Sequence, residues 1–162
     1  MSLKYALIGC GRISPNHVSA AINNLLEVVA LCDLDIKKAQ QLVIDFKLSS
    51  STKIYKDYKE MIEKEKIDLI AIATESGKHA QIAKDCIVKG INLIIEKPIS
   101  LSLKDADDII SLSKKFKVVV SACHQNRFNK SILKIRESIE LNRFGKLFYG
   151  TAHIRWNRSK DY

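Results

Sequence analysis

A short apolar run that ends in two closely spaced glycines restricts the fold of this chain more than any other feature. Residues 5–8 are apolar, Gly9 and Gly11 follow, and Ser14 and Pro15 then favour the start of a helix. Gly9 permits a tight turn, and Gly11 leaves room for a ligand to approach the backbone. The free N–H groups at the start of the helix suit a diphosphate. An ordinary strand-to-helix turn fits the same residues.

Apolar runs and helical patterns then alternate about six times along residues 1–123. The predicted strands are 5–8, 27–32, 53–55, 68–74, 91–95 and 118–122. The predicted helices are 15–25, 36–46, 58–64, 79–89 and one that begins at Ser102. Nearly continuous apolar strands are typical of a parallel sheet that helices cover on both faces. We therefore predict an α/β fold, a doubly wound parallel sheet of the Rossmann type, over residues 1–123.

Residues 124–162 show a different pattern. An amphipathic helix is predicted over 131–141, and residues 147–156 alternate between apolar and polar side chains, which predicts a half-buried strand. A single strand without a neighbour is unstable. We therefore expect a crossover helix followed by the first strand of a truncated α+β second domain, so that the chain is a fragment of a longer protein.

The net charge of +9 raises the possibility of nucleic-acid binding. Residues 1–123 carry 18 basic and 15 acidic side chains, and residues 124–162 carry nine and three. The lysines are dispersed and no basic stripe with aromatic residues occurs, so we expect no nucleic-acid partner. The basic end could instead meet an anionic small substrate. No apolar run of about 20 residues and no signal peptide are present, so we expect no membrane association and a cytoplasmic protein.

The four cysteines give no indication of a metal site or a disulfide. Cys10, Cys32, Cys86 and Cys123 stand far apart, without the spacing of zinc ligands. Each lies in or beside an apolar run, which favours small core residues. We therefore predict no bound metal.

Polar or conformationally special residues follow five of the predicted strands. Ligands of open parallel sheets bind beyond the carboxyl ends of the strands, so these residues are the candidate site. They are Gly9–Ile13, Asp33, Thr74–Ser76, Glu96–Pro98 and His124–Arg127.

Asp33 is the candidate for cofactor selection. It lies 22 residues after Gly11, at the end of the second strand. Its carboxylate can accept hydrogen bonds from both hydroxyls of an adenosine ribose and repel a 2′-phosphate, which favours NAD. Lys37 and Lys38 leave NADP possible, and a helix cap shared with Asp35 is the structural alternative.

Lys97 is the candidate acid–base residue. Pro98 restricts residue 97 to an extended conformation, and desolvation of the ammonium group would favour proton transfer. A surface pair of Glu96 and Lys97 before a helix is equally compatible with the sequence. His79 could lie near a phosphate or a nicotinamide, or be an ordinary capping or surface residue. Arg127 could meet a substrate anion or form a salt bridge between domains.

These motifs together resemble the Gfo/Idh/MocA oxidoreductases. The resemblance rests on Gly-Cys-Gly-Arg-Ile after the first strand, Asp33, Ala-Thr74 with His79, Glu-Lys-Pro at 96–98 and Gln-Asn-Arg-Phe at 125–128. It covers the whole chain. Ser14 replaces a third glycine and Glu75 stands where the family often has proline.

The resemblance implies a hydride transfer between NAD or NADP and a hydroxyl or ketone of a sugar or cyclitol. It implies that Lys97 also reaches the reacting hydroxyl and is catalytic. The cofactor residues that it implies are Gly9, Gly11, Arg12, Ile13, Asp33, Thr74, His79, Glu96, Lys97 and Gln125.

The ending from Arg155 to Tyr162 resembles members that act on nucleotide-linked N-acetylhexosamines or their uronates. Arg127 and Arg155 are the predicted substrate contacts. The other catalytic residues of the family, an Asp and a His, would lie beyond Tyr162, so we expect the fragment to bind a dinucleotide without turnover. Family members are commonly dimers or tetramers, which implies a homo-oligomer at full length. A non-catalytic dinucleotide-binding regulatory module on the same fold is the alternative.

Overall fold

A six-stranded parallel sheet forms the centre of the first of two structural units. The computed structural model describes residues 2–157 and 159. Residues up to His124 form one compact unit, and residues from Gln125 form the second. The strands are β1 (Lys4–Ile8), β2 (Glu27–Cys32), β3 (Lys53–Tyr55), β4 (Leu69–Ile72), β5 (Asn92–Glu96) and β6 (Val120–Cys123). The helices are α1 (Ser14–Asn23), α2 (Ile36–Asp45), α3 (Tyr58–Lys64), α4 (His79–Ile87), α5 (Leu103–Phe116) and α6 (Lys130–Glu140).

The strand order is β3-β2-β1-β4-β5-β6, and every neighbouring pair is parallel. The chain therefore winds outward from β1 to one edge and then returns to build the other half from β4. This is the order of doubly wound sheets, and it confirms the predicted fold class. The point where the order reverses lies between β1 and β4.

The sheet separates two apolar layers. Along β1, Tyr5 and Leu7 belong to one layer, with residues of α1 and α2, whereas Ala6 and Ile8 belong to the other, with residues of α3, α4 and α5. Successive side chains of a strand point to opposite faces, so a strand that is covered on both sides must be apolar throughout. Among the described residues, no helix is both long and apolar enough to cross a bilayer.

Polar side chains cap the starts of three helices, and a glycine follows the end of a fourth. The carboxylates of Asp35 and Asp57 each accept a hydrogen bond from a backbone N–H at the start of α2 and α3. Ser102 accepts from the backbone N–H of Asp105 at the start of α5. Gly90 has a φ of 76° just after α4, as expected for a glycine that ends a helix.

The structure does not form the predicted strand over residues 147–156. In the second unit, a short 3₁₀ turn (Gln125–Phe128) and α6 are formed, but the structure shows residues 147–157 without a strand ladder and exposed. A strand is held by hydrogen bonds to a neighbouring backbone, and no described residue supplies that neighbour here. The alternating pattern alone therefore does not produce a strand. Arg158, Asp161 and Tyr162, which belong to the ending noted above, lie outside the described residues.

Two tyrosine variants test whether an unpaired buried hydroxyl lowers the stability of the core. The hydroxyl of Tyr5 is buried, and within the described chain it has no hydrogen-bond partner. Removing an unpaired buried hydroxyl removes a desolvation cost. We expect Tyr5→Phe to leave the free energy of unfolding unchanged or to raise it by up to about 1 kcal/mol, as measured by urea denaturation.

Tyr58→Phe is the matched control for this measurement. The Tyr58 hydroxyl donates to Asp85 Oδ2 at 2.7 Å, so its removal is expected to lower the free energy of unfolding by about 1 kcal/mol. A loss in Tyr5→Phe as large as that in Tyr58→Phe would contradict the assignment of an unpaired hydroxyl.

Candidate functional site

A cleft of about 580 Å³ opens at the carboxyl ends of β1 to β4. Its lining comes from the segments after these strands: Gly9 and Gly11 after β1, Asp33 after β2, Lys56 after β3 and Thr74 after β4. The cleft therefore spans the point where the strand order reverses, which is where open parallel sheets bind their ligands. It brings together five of the residues predicted to form the site: Gly9, Gly11, Asp33, Thr74 and Glu75.

Gly9 is required by the packing of the chain itself. Its φ is +95°, and a Cβ atom at this position would lie 2.5 Å from the carbonyl oxygen of Ala73 and 2.7 Å from the backbone nitrogen of Thr74. Its N–H donates to the carbonyl of Cys32 at 2.8 Å. The ends of β1, β2 and β4 therefore meet at this turn, and only a residue without a side chain fits between them.

Gly11 has a different role. A Cβ atom built on Gly11 would meet nothing within 4 Å, and its φ lies outside the left-handed region. The space next to Gly11 belongs to the cleft, so a side chain here would occupy volume that is open to a ligand. Helix α1 begins three residues later at Ser14, which is buried and whose Oγ donates to the Gly11 carbonyl at 2.5 Å. An open backbone followed by a helix N-terminus fits a diphosphate.

The Asp33 carboxylate faces the cleft and joins two of its loops. Oδ2 accepts from the N–H of Cys10 in the glycine turn at 2.7 Å, and Oδ1 accepts from the N–H of Asp35 at 2.8 Å. The bond from the N–H of Asp35 lies at the start of α2, so the structure also includes the contact with Asp35 that the helix-cap alternative predicts for Asp33. Each carboxylate oxygen keeps further acceptor capacity, so both oxygens can still accept from ribose hydroxyls.

Three lysines in the cleft include two that sequence reasoning missed. Lys38, Lys56 and Lys78 all line it, and Tyr58 also contributes. The sequence contains a signal for Lys56, which directly follows the short strand β3. These cations are suited to an anionic ligand such as a dinucleotide.

Burial keeps the two cysteines beside the cleft in the neutral thiol form. Burial, reinforced by the nearby Asp33 carboxylate, raises the pKa of Cys10 to about 12. Burial likewise raises the pKa of Cys32 to about 12. Because the thiolate is the reactive form, both side chains remain neutral core residues near pH 7.

The remaining predicted residues of the first unit do not line this cleft. Arg12 is exposed and Ile13 is half-buried within the glycine turn. His79 and Glu96 are buried, each in contact with other parts of the same unit. The Lys97 side chain is exposed, so the first unit by itself does not supply the desolvation that the sequence interpretation invoked.

Gln125, Arg127 and Arg155 belong to the second unit, and each is exposed there. Gln125 and Arg127 lie in the 3₁₀ turn before α6. Arg155 lies in the segment without regular secondary structure. Their predicted contacts with cofactor and substrate stay predictions.

The doubly wound sheet, the glycine turn and the acidic residue at the end of β2 define a dinucleotide-binding α/β domain. Residues 3–124 match the model of the Gfo/Idh/MocA family, described as an oxidoreductase family with an NAD-binding Rossmann fold. The chain belongs to this family and carries its NAD-binding domain.

Relatives of known activity are similar over nearly all of the chain. D-apiose dehydrogenase of Paraburkholderia graminis is 28% identical over 94% of this chain and 40% of its own length. Myo-inositol 2-dehydrogenase of Thermotoga maritima is 26% identical over 89% and 42%. The chain thus spans less than half the length of these curated relatives.

Solved structures agree with this assignment. The WlbA dehydrogenase of Bordetella pertussis, in complex with NADH and UDP-GlcNAcA, superimposes with a TM-score of 0.81 at 26% identity, covering 90% of this chain and 44% of that one. Myo-inositol 2-dehydrogenase of Lactobacillus plantarum has a TM-score of 0.84 over 92% of this chain and 44% of its own. At 24% identity, this second likeness shows the fold.

Proposed function

We propose that this chain is the cofactor-binding part of an NAD-dependent dehydrogenase that acts on a sugar, a cyclitol or a nucleotide-linked sugar. The observation that carries the proposal is the meeting of the glycine turn and Asp33 in one cleft at the reversal of the strand order. The names of the relatives support the substrate class, since they act on D-apiose or myo-inositol, or hold UDP-GlcNAcA in the crystal.

Different residues of the cleft would bind different parts of NAD. The backbone around Gly11 and the start of α1 would hold the diphosphate, and Asp33 would accept from the adenosine ribose. Lys38, Lys56 and Lys78 would offset the negative charge. When bound, the nicotinamide accepts or supplies the two electrons and the hydrogen of the reaction.

Lys97 is the proposed acid–base residue. It directly follows β5, and its ammonium group can donate a proton to, or its amine accept one from, the oxygen of the reacting carbon. Residues 1–123 are then the cofactor domain, and residues 124–162 the crossover helix and start of a substrate and oligomerisation domain. Arg127 and Arg155 would meet the anionic part of a nucleotide-linked substrate. A cytoplasmic homo-oligomer completes the proposal.

Calorimetric titration with NAD and NADP tests the cofactor role of Asp33. We expect the chain to bind NAD in preference to NADP, because the carboxylate accepts from the ribose and repels a 2′-phosphate. Asp33→Asn keeps the shape of the side chain but removes its charge. It is expected to reduce the preference by about tenfold, equivalent to about 1.4 kcal/mol.

Asp45→Asn is the matched control, because Asp45 lies at the far end of α2 and accepts from Gln41 away from the cleft. It removes the same charge and should leave the ratio of the two affinities unchanged. Equal affinity of the parent chain for both cofactors would contradict the role of Asp33. Failure of the parent to bind either cofactor would contradict the proposed function.

A further inference from the structure

His17, which is half-buried, and His79, which is buried, both contact the turn that carries Lys97. We call residues 96–98 the Lys97 turn. His17, on α1, places Nε2 at 3.0 Å from Glu96 Oε1. His79, on α4, places Nδ1 at 2.8 Å from the carbonyl oxygen of Pro98. The turn is therefore held on both sides of Lys97 by side chains from two different helices.

The contact of His17 with Glu96 reaches the backbone of Lys97. The two side chains are 10% and 11% exposed, so the pair is almost removed from water. The other oxygen of Glu96 accepts from the N–H of Lys97 at 3.2 Å. Loss of the imidazole would leave a buried carboxylate without this partner, which is costly, and the carboxylate would then tend to turn toward solvent. Such a movement would release the Lys97 backbone.

His79 joins the Lys97 turn to the loop after β4. Its ring is 1% exposed, and its Nε2 lies 3.0 Å from the carbonyl oxygen of Thr74, a residue of the cleft. Both partners of the ring are carbonyl groups, which only accept hydrogen bonds. A neutral imidazole pairs with one of them, and an imidazolium pairs with both. The ring fills the space between the two loops in either form.

We propose that His17 and His79 are positioning residues that set the orientation of Lys97 relative to the cofactor loops. The inference rests on the proposed function of Lys97. Helix α1 starts directly after the glycine turn, and Thr74 lies in the cleft, so each histidine connects the Lys97 turn to an element that lines or adjoins the cofactor site. Neither ring lines the cleft, so their effect on the reaction passes through the backbone of residues 96–98. A backbone that is held from both sides fixes the position and direction from which the Lys97 side chain extends.

Hydrogen–deuterium exchange of the unliganded chain tests two bridges directly: the one from His17 to Glu96, and the one that His79 makes between Pro98 and Thr74. His17→Leu removes the donor to Glu96, and His17→Gln keeps an N–H donor at this position. In His17→Leu we expect exchange of the segment 96–101 to rise by about tenfold or more, with β1 unchanged, and His17→Gln to restore much of the protection. His79→Leu and His79→Gln are expected to behave in the same way. His153→Leu, at an exposed histidine of the second unit, is the control and should change nothing in this segment.

Kinetics of the intact enzyme then separate positioning from a general structural role. We expect kcat to fall by about tenfold or more in the leucine variants, with NAD affinity within threefold of the parent and recovery in the glutamine variants. Unchanged exchange at 96–101, or a loss of protection throughout the sheet that glutamine does not rescue, would overturn the proposal. The exchange comparison is made without cofactor. It therefore still decides whether the bridges exist if the parent fails to bind NAD, a result that would count against the proposed function instead.

Discussion

Substitution of Gly9 by alanine is expected to lower the free energy of unfolding by about 3 kcal/mol or more. The φ of +95° is unfavourable for any L-residue with a side chain, and the added Cβ would lie within 2.7 Å of three backbone atoms of Ala73 and Thr74. Backbone atoms at the end of β4 cannot move away without breaking the β1–β4 pairing. Thermal or urea unfolding of the variant measures the loss, and NAD binding should disappear with the fold.

Gly11→Ala is the matched control, because it makes the same chemical change two residues later. Its Cβ would meet nothing within 4 Å, so the free energy of unfolding should stay within about 1 kcal/mol of the parent. The methyl group would instead occupy the cleft, and NAD affinity should fall by about tenfold or more, as calorimetry would show. A stable Gly9→Ala variant, or a Gly11→Ala variant with full NAD affinity, would contradict the roles assigned to the two glycines.

Replacement of Lys97 by methionine is expected to reduce kcat of the full-length enzyme by about 10²- to 10⁴-fold, the usual contribution of a positioned acid–base group. Methionine keeps an unbranched chain of similar length but cannot transfer a proton. Because the Lys97 side chain is exposed and outside the cleft lining, the variant should bind NAD as the parent does. Initial rates with sugar, cyclitol and nucleotide-sugar substrates measure the first effect, and calorimetry measures the second.

Lys66→Met is the control for this experiment. Lys66 is exposed and lies just before β4, at the amino ends of the strands, whereas the cleft lies at their carboxyl ends. Its loss should affect neither rate nor affinity. Turnover of Lys97→Met within threefold of the parent would exclude Lys97 from proton transfer. NAD binding by a full-length parent that oxidises no substrate of these classes would favour a regulatory dinucleotide-binding module.

Much of the first unit could be predicted because its signals are local. The bounds of β2, β3 and α3 agree with the predicted ones, since β-branched runs and the Asp57 cap mark them directly. The glycine turn and Asp33 were found because a parallel sheet brings the carboxyl ends of its strands to one edge. Other bounds differ by at most two residues, as at α1, which ends at Asn23 instead of residue 25.

Alternation of polar and apolar residues was a less reliable signal. The pattern over 147–156 describes the faces that a strand would have, but a strand forms only where another backbone accepts its hydrogen bonds. For Lys97, too, contacts with residues far away in the sequence decide the outcome. Pro98 restricts its backbone, but whether its ammonium group is desolvated depends on what packs over it, and the first unit leaves it exposed.

The sequence by itself therefore determined the order of strands and helices along the chain and the covering of the sheet by helices on both faces. It also determined the need for glycine at position 9 and the place of Asp33 at the end of the second strand. Only the tertiary structure decided that Lys56 and Tyr58 reach the cleft and that His17 meets Glu96, a residue 79 positions away. The physical reason is that periodicity, caps and turns act between neighbours in the chain. The contact between His17 and Glu96 depends instead on which helices and strands the tertiary structure brings side by side.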